Sequence, residues 1–216
     1  MNRRVLSVVV GLSLVGCGEK AQDIKNAANA ASALAQAGGG LAETQAEAEK
    51  FYNERKEKGD TVAMPYADLQ KMLPSAPSDY TAAEEPSGSS QSMGAFSMSQ
   101  TEARFVQPAA ADGSVPTIQV SIVDFGGTQA AYGMMALPMM MNLSQEDAHH
   151  RMQTLKVDVP YTWGSEEFNK DDKTAKVTLV TRYRYVISVE VRNHGEDKSA
   201  MAKSLAEDVA KKFEGK

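Results

Sequence analysis

The chain has 216 residues and a net charge of −5 at pH 7, because 28 acidic residues outnumber 23 basic ones. This acidic balance argues against a nucleic-acid partner, and it gives no electrostatic attraction to an anionic membrane surface. A single cysteine excludes an internal disulfide and a zinc site built on several thiolates, so stability must come from a hydrophobic core.

The first 16 residues have the pattern of a secretory signal peptide. Arg3 and Arg4 provide a charged start, residues 5–15 are largely apolar, and the small residue Gly16 directly precedes Cys17. An ordinary transmembrane anchor needs about 20 apolar residues, which is more than this run supplies. A secreted protein with a free thiol is the other alternative. We expect cleavage before Cys17.

The motif Leu14-Val15-Gly16-Cys17 resembles the lipobox of bacterial lipoproteins. That resemblance implies a lipidated Cys17, with a diacylglycerol on the thiol and a further acyl chain such as palmitate on the new amine. Membrane attachment would then come from N-terminal acyl chains. Gly18 stands where aspartate would imply retention at the inner membrane, so the resemblance implies an outer-membrane lipoprotein facing the periplasm.

Residues 17–60 predict an alanine-rich helical tether. The segment contains no proline, and its thin apolar seam recurs at heptad-like spacing. Gly38, Gly39 and Gly40 weaken the middle of this helix by about 1 kcal/mol each relative to alanine, which favours a hinge. Three interpretations stay open: a rigid spacer, a partly ordered linker, and a coiled coil through which copies self-associate.

Residues 61–216 predict one folded domain. Pro65 opens a short helix that ends before Pro74, and residues 75–99 indicate loop with one or two edge strands. Alternating apolar residues predict a hairpin, with Phe105 in one strand and residues 118–122 in the other.

Stronger alternation follows towards the end of the chain. Residues 155–163 share one apolar parity, although Pro160 indicates a bend or an edge. Residues 177–183 and 185–191 predict a second hairpin with a tight turn. A terminal helix follows, with an apolar face at every fourth position: Met201, Leu205, Val209 and Phe213. The fold class expected is α+β, an antiparallel sheet with packed helices, preceded by the alanine-rich helical tether.

A methionine-rich segment lies between the hairpins and provides the candidate apolar face for a ligand or partner: Met134, Met135, Met139, Met140 and Met141. Methionine adapts to varied apolar shapes, so such stretches occur both in cores and at promiscuous binding surfaces. A copper site with His149 and His150 is a third interpretation, but the sulfurs lack a repeated spacing that would converge on one ion.

The remaining polar residues have structural interpretations. Ser144 and Asp147 match a helix cap, Asp124 resembles a turn residue at a strand end, and His194 resembles a surface residue. Asp171 and Asp172 lack the oxygen ligands of a calcium loop. No nucleophile elbow, zinc-binding helix motif or phosphate-binding glycine loop is present. We therefore expect no cofactor, no metal and no catalytic site.

The sequence is compatible with three functional classes. A non-catalytic binding or envelope-assembly module with an envelope protein partner is favoured. A carrier or sensor of a lipid or small apolar ligand would need a pocket of several hundred Å³. A hydrolase or copper-handling protein would need converging polar groups in a cleft.

Overall fold

The computed structural model describes residues 46–94, 96–127, 144–195 and 197–215. Helix α1 runs through residues 46–57, the last part of the predicted tether, and belongs to the same compact unit as the sheet, Gly40–Lys216. Helix α2 (Tyr66–Leu69) continues as a 3₁₀ turn (Gln70–Met72). Pro65 immediately precedes α2, and Pro74 follows the turn, as the sequence predicts.

Nine antiparallel strands make up the sheet in the described part of the chain. They are β1 (Thr81–Ala82), β2 (Ser87–Met93), β3 (Phe96–Val106), β4 (Thr117–Asp124), β5 (Ser144–Glu146), β6 (His150–Leu155), β7 (Thr162–Asn169), β8 (Thr174–Thr181) and β9 (Tyr185–Arg192). Their order is β1-β3-β4-β9-β8-β7-β6-β5, and β2 pairs with β3 beside β1.

Helix α3 (Lys198–Lys211) packs on the inner face of β8 and β9. Three alanines at its contact face, Ala202, Ala206 and Ala210, are fully buried. Their small side chains let the helix approach the sheet closely. The ring of Phe213 stacks on Tyr185 with centroids 4.1 Å apart.

The core lies between α3, α2 and the inner face of the central strands. Alternation along each strand places its apolar side chains on this face, as the period of two requires. Its fully buried members in the sheet are Ile118, Val120, Ile122, Val177, Leu179, Ile187, Val189 and Val191. The α+β expectation is confirmed for the described domain, in which the sheet dominates and helices pack against it.

Three details differ from the sequence expectations. The predicted helix start at Ser144 is wrong, because residues 144–146 form β5 and pair with β6. Asp147 caps the β5–β6 turn instead, since its carboxylate accepts the N–H groups of His149 and His150 at 2.8 and 2.7 Å. The run 155–163 is mostly a connection rather than a strand, because β6 ends at Leu155, β7 begins at Thr162, and residues 156–161, with Pro160 among them, join the two. The contact face of α3 also differs from the predicted one, because Met201 and Leu205 are only partly buried and pack at its margin.

Among the residues described, no helix is long and apolar enough to cross a membrane.

Replacing Ala206 with leucine should destabilise the domain by about 1–3 kcal/mol, because extra methylene groups have no room between α3 and the sheet. Ser204→Leu is the matched control, since Ser204 is exposed on the same helix, and should change the free energy of unfolding by no more than about 0.5 kcal/mol. Urea denaturation measures both. Equal stabilities of the two variants would contradict the close packing of α3 against the sheet.

Candidate functional site

Several of the sequence-predicted site residues lie outside the described residues. They are Cys17, Met134, Met135, Met139, Met140 and Met141. The apolar face that the methionines predict therefore stays a prediction. The described residues contain two other features with unusual geometry: a buried ion-pair cluster at one end of the sheet and a polar depression on its outer face.

The ion-pair cluster centres on Arg184 and Asp124. Asp124 ends β4 and is fully buried, and the Arg184 side chain is only 2% exposed. Arg184 Nε donates to Asp124 Oδ1 at 2.7 Å, and its Nη2 donates to Oδ2 at 2.9 Å. This is the two-point geometry that makes arginine–carboxylate pairs strong.

The same two side chains also fix the segment that joins α1 to α2. Arg184 Nη1 donates to Asp60 Oδ2 at 2.9 Å, and Nη2 donates to the carbonyl of Val62 at 3.0 Å. Asp124 accepts the backbone N–H of Met64 at 2.7 Å. The buried charges thus bind three parts of the chain together.

Sequence reasoning treats Asp124 as a turn residue and places Arg184 in a turn, but it does not bring the two together. The register does so, because Asp124 pairs with Tyr185 across β4 and β9. Arg182 and Tyr183, in the β8–β9 turn, have φ values of 52° and 54°. Positive φ at both central residues is the backbone of a type I′ turn, which usually favours asparagine and glycine. A turn of this kind without glycine could have signalled a constrained site.

Gly126 also fits this cluster closely. Its φ is 56°, and a Cβ at this position would lie 2.5 Å from Ser97 Oγ and 2.8 Å from the backbone nitrogen of Ala63. Its N–H donates to Asp124 Oδ1 at 2.8 Å. Glycine is therefore required beside the buried carboxylate.

Burial affects the ionisable groups of this cluster in different directions. For Arg184, burial alone would lower the pKa, but the hydrogen bonds and charge of Asp124 outweigh it and raise the pKa above its usual value. Burial and the neighbouring charge of Arg184 lower the pKa of Arg55. Burial raises the pKa of Tyr185 to about 12.

An aromatic group attaches α1 to the same end of the sheet. Phe51 contacts Tyr161 and Tyr183 at centroid distances of 4.8 and 5.3 Å, and Tyr183 contacts Trp163 at 4.7 Å. The guanidinium of Arg182 lies 5.2 Å from the centroid of the Phe51 ring. Tyr183 also donates a hydrogen bond to Glu47 in α1. The tight β8–β9 turn is thus held by α1 as well as by Asp124.

Beside the ion pair lies a surface depression of about 490 Å³. Its lining includes Val62, Met64 and Pro65 from the α1–α2 connection, together with Arg184 and Tyr185. The polar atoms of Arg184 that could reach a ligand here already bind Asp60, Val62 and Asp124. What the depression offers a ligand is mainly apolar contact.

The second depression, of about 430 Å³, lies over β2, β3 and β4. The outer-face side chains that line it are mostly polar: Ser87, Ser89, Gln100, Glu102, Ser121 and Val123. The registers align Ser87, Glu102 and Ser121 in one row, which continues through Ser188 of β9 and Thr178 of β8 to Ser165 of β7. Hydroxyl groups both donate and accept, whereas the carboxylate of Glu102 only accepts, so this row can hydrogen-bond a polar partner chiefly through its hydroxyl groups.

The histidines are engaged with nearby groups. His149 Nδ1 lies 2.9 Å from Asp171 Oδ2, and His150 Nδ1 lies 3.8 Å from Asp147 Oδ1, and all four residues are exposed. His194 Nδ1 lies 2.8 Å from the hydroxyl of the buried Tyr80. Within the described ranges, no group of three or more histidine, cysteine or acidic side chains is arranged to hold a metal ion.

Comparison with solved structures gives a structural likeness. No family model matches the sequence, and no curated protein matches it. The crystal structure of the extracellular domain of PknH from Mycobacterium tuberculosis is similar over 72% of this chain and all of that chain, with 9% identity and a TM-score of 0.45.

Asp124→Asn should destabilise the protein by about 3–5 kcal/mol, because it removes the buried carboxylate that pairs with the guanidinium of Arg184 and leaves the half-exposed Asp60 as its charged partner. Asp60→Asn removes a second carboxylate from the same guanidinium, but the Asp60 side chain is 47% exposed. Its loss should cost no more than about 1 kcal/mol, since water screens that pair. Equal losses in the free energy of unfolding, measured by urea denaturation, would contradict the central role of Asp124.

Tyr185 should make stability fall as the solution becomes strongly alkaline. Its pKa is raised to about 12 in the folded protein, against about 10 in an unfolded chain. The stabilisation is therefore complete below about pH 10 and is lost as pH rises towards 12. Tyr185→Phe should show a shallower decline over that window when unfolding is followed by urea denaturation. Identical pH profiles would show that Tyr185 titrates normally.

Proposed function

We propose that the protein is a lipoprotein anchored through acyl chains on Cys17 to the outer membrane, facing the periplasm. In this proposal, residues 17–60 provide the connection to the membrane, with α1 at the end of that segment packed against the sheet, and the sheet domain acts as a non-catalytic binding or envelope-assembly module. The motif Leu14-Val15-Gly16-Cys17 supports the anchor. An acidic chain gains little from anionic lipids, so acyl chains are the expected source of attachment.

The proposed binding role is supported by a contrast between the buried and the open polar groups. Arg184 and Asp124 are the most deeply buried charged pair of the candidate site, and their hydrogen bonds hold the chain itself. The open polar groups, by contrast, lie on the outer face, where the depression over β2–β4 is lined by hydroxyl and amide side chains together with the carboxylate of Glu102. Such groups suit hydrogen bonding to a partner surface more than proton transfer or nucleophilic attack.

A second candidate function is that of a carrier or sensor of an apolar molecule. The depression beside Arg184 favours it, since about 490 Å³ falls within the range of small-molecule sites and Val62, Met64 and Pro65 offer apolar contact. The methionine-rich segment would be an additional apolar face in this proposal.

Intact mass measurement of the protein extracted gently from native membranes tests the anchor and the cargo together. The denatured mass should be that of a chain that begins at Cys17 and carries acyl groups. A native mass without excess over the denatured mass supports the binding module, whereas a stoichiometric excess of several hundred daltons supports the carrier. A denatured mass without acyl groups would refute the lipoprotein proposal.

Cys17→Ala should release the protein from membranes, because the acyl chains have no attachment site without the thiol. Ser7→Ala is the control, since it changes the same leader and keeps Cys17. Immunoblots of membrane and soluble fractions measure the distribution. Membrane retention of the Cys17→Ala protein in the amount seen for the control would contradict the lipid anchor.

A further inference from the structure

The two ends of the sheet differ in how their edge strands are protected. An edge strand presents unpaired backbone N–H and C=O groups, and proteins usually protect it by short length, charge, proline or a covering element. At one end, β5 has three residues, and Glu146 within it pairs with Lys170 at 2.8 Å. That edge is short and charged.

The opposite edge lacks these protections. Strand β2 extends over seven residues, Ser87–Met93, and contains neither a charged residue nor a proline. Among the described residues, only β3 pairs with it, and β3 residues such as Glu102 pair with β2 on one side and with β4 on the other. Helix α2 contacts its inner face, where the Tyr66 ring lies against Gly88. Within the part of the chain that the structure describes, the outward backbone groups of β2 therefore form an open template for another strand.

We propose that β2 is the interface through which two copies of this chain associate, by antiparallel pairing of β2 with β2 of a second copy. In the register that pairs all seven residues, Ser90 lies on the two-fold axis and Ser89 lies opposite Gln91 of the other copy. All side chains brought together in this register are uncharged, so no like-charge pair opposes it. This pairing involves the folded domain alone and is separate from the proposed anchor and binding role.

Two exposed apolar side chains mark the same edge. Met93 is 79% exposed at the end of β2, and Tyr66 is 42% exposed. The backbone N–H of Tyr66 donates to Ser90 Oγ at 2.9 Å, which places Tyr66 beside the middle residue of the strand. Two-fold pairing about Ser90 would therefore bring the two Tyr66 residues close together on one face. Exposed aromatic side chains at such a position are typical of contact surfaces.

A charge-swap experiment on the full chain in detergent tests this proposal. Ser89 and Gln91 point to the outer face, away from α2, so Ser89→Lys/Gln91→Lys should leave the fold intact while placing lysines opposite each other across the axis. Sedimentation should give two protein copies per particle for the wild type and one for this variant. Mixing it with Ser89→Glu/Gln91→Glu should restore particles with two copies, one of each kind. The matched control, Ser144→Lys/Gln145→Lys on β5, should stay at two copies.

Tyr66→Ala provides a second readout and should weaken the dimer by on the order of tenfold in Kd without separating it fully. Thermal unfolding by circular dichroism verifies that each variant is folded. A wild type with one copy per particle, or a folded lysine variant that keeps two copies, would overturn the proposal. In the second case, association would belong to another part of the chain, such as the tether. Cys17 is unchanged throughout, so these outcomes are independent of the test of the anchor.

Discussion

The arrangement of the domain depends on the ion pair between Arg184 and Asp124. A charged pair this deeply buried loses most of its hydration, and the Coulombic attraction offsets that cost only when the remaining hydrogen-bonding capacity is also satisfied. Here it is satisfied, because Asp124 receives two backbone N–H groups and Arg184 also binds Asp60 and Val62. The pair therefore acts as a junction that joins the end of β4, the β8–β9 turn and the segment between α1 and α2. The unfavourable backbone of Arg182 and Tyr183 is tolerated because this junction and α1 hold the turn on both sides.

The sequence predicts those parts of the fold that depend on local periodicity. Strands β3, β4, β8 and β9 alternate with a period of two, and α3 repeats every four residues, so each can be recognised without its neighbours. The junction cannot be recognised in this way, since Arg184 and Asp124 are 60 positions apart and meet only through the register of β4 with β9. At Ser144, a local pattern gives the wrong prediction. Its serine-to-acid spacing fits a helix cap, but pairing with β6 decides the outcome.

The two faces of the sheet serve different purposes, and the difference follows from composition along each strand. The inner face carries valine, isoleucine and leucine against the alanines of α3, where close packing excludes water. On the outer face, the row that contains Ser121, Ser188 and Thr178 places hydroxyl groups across neighbouring strands. On the outer face Val180 and Val186 are also buried, but the row of hydroxyl groups beside them stays partly exposed and available for contact with a partner, which is why we propose the binding role.

Pairing of two copies through β2 would extend this outer face. A two-fold axis that relates antiparallel strands within one sheet runs perpendicular to the sheet, so both copies would present their outer faces in the same direction and their α3 helices in the other. The polar depressions over β2–β4 adjoin the paired edge, and the axis would place them next to each other. A partner with a repeated structure could then contact both at once, and the second contact would form at a high effective concentration. Two copies anchored in one membrane would meet in two dimensions, where even a modest strand interface favours association. The edge and the face are therefore physically linked: the open strand that permits pairing also sets the position of the surface that the pair would present.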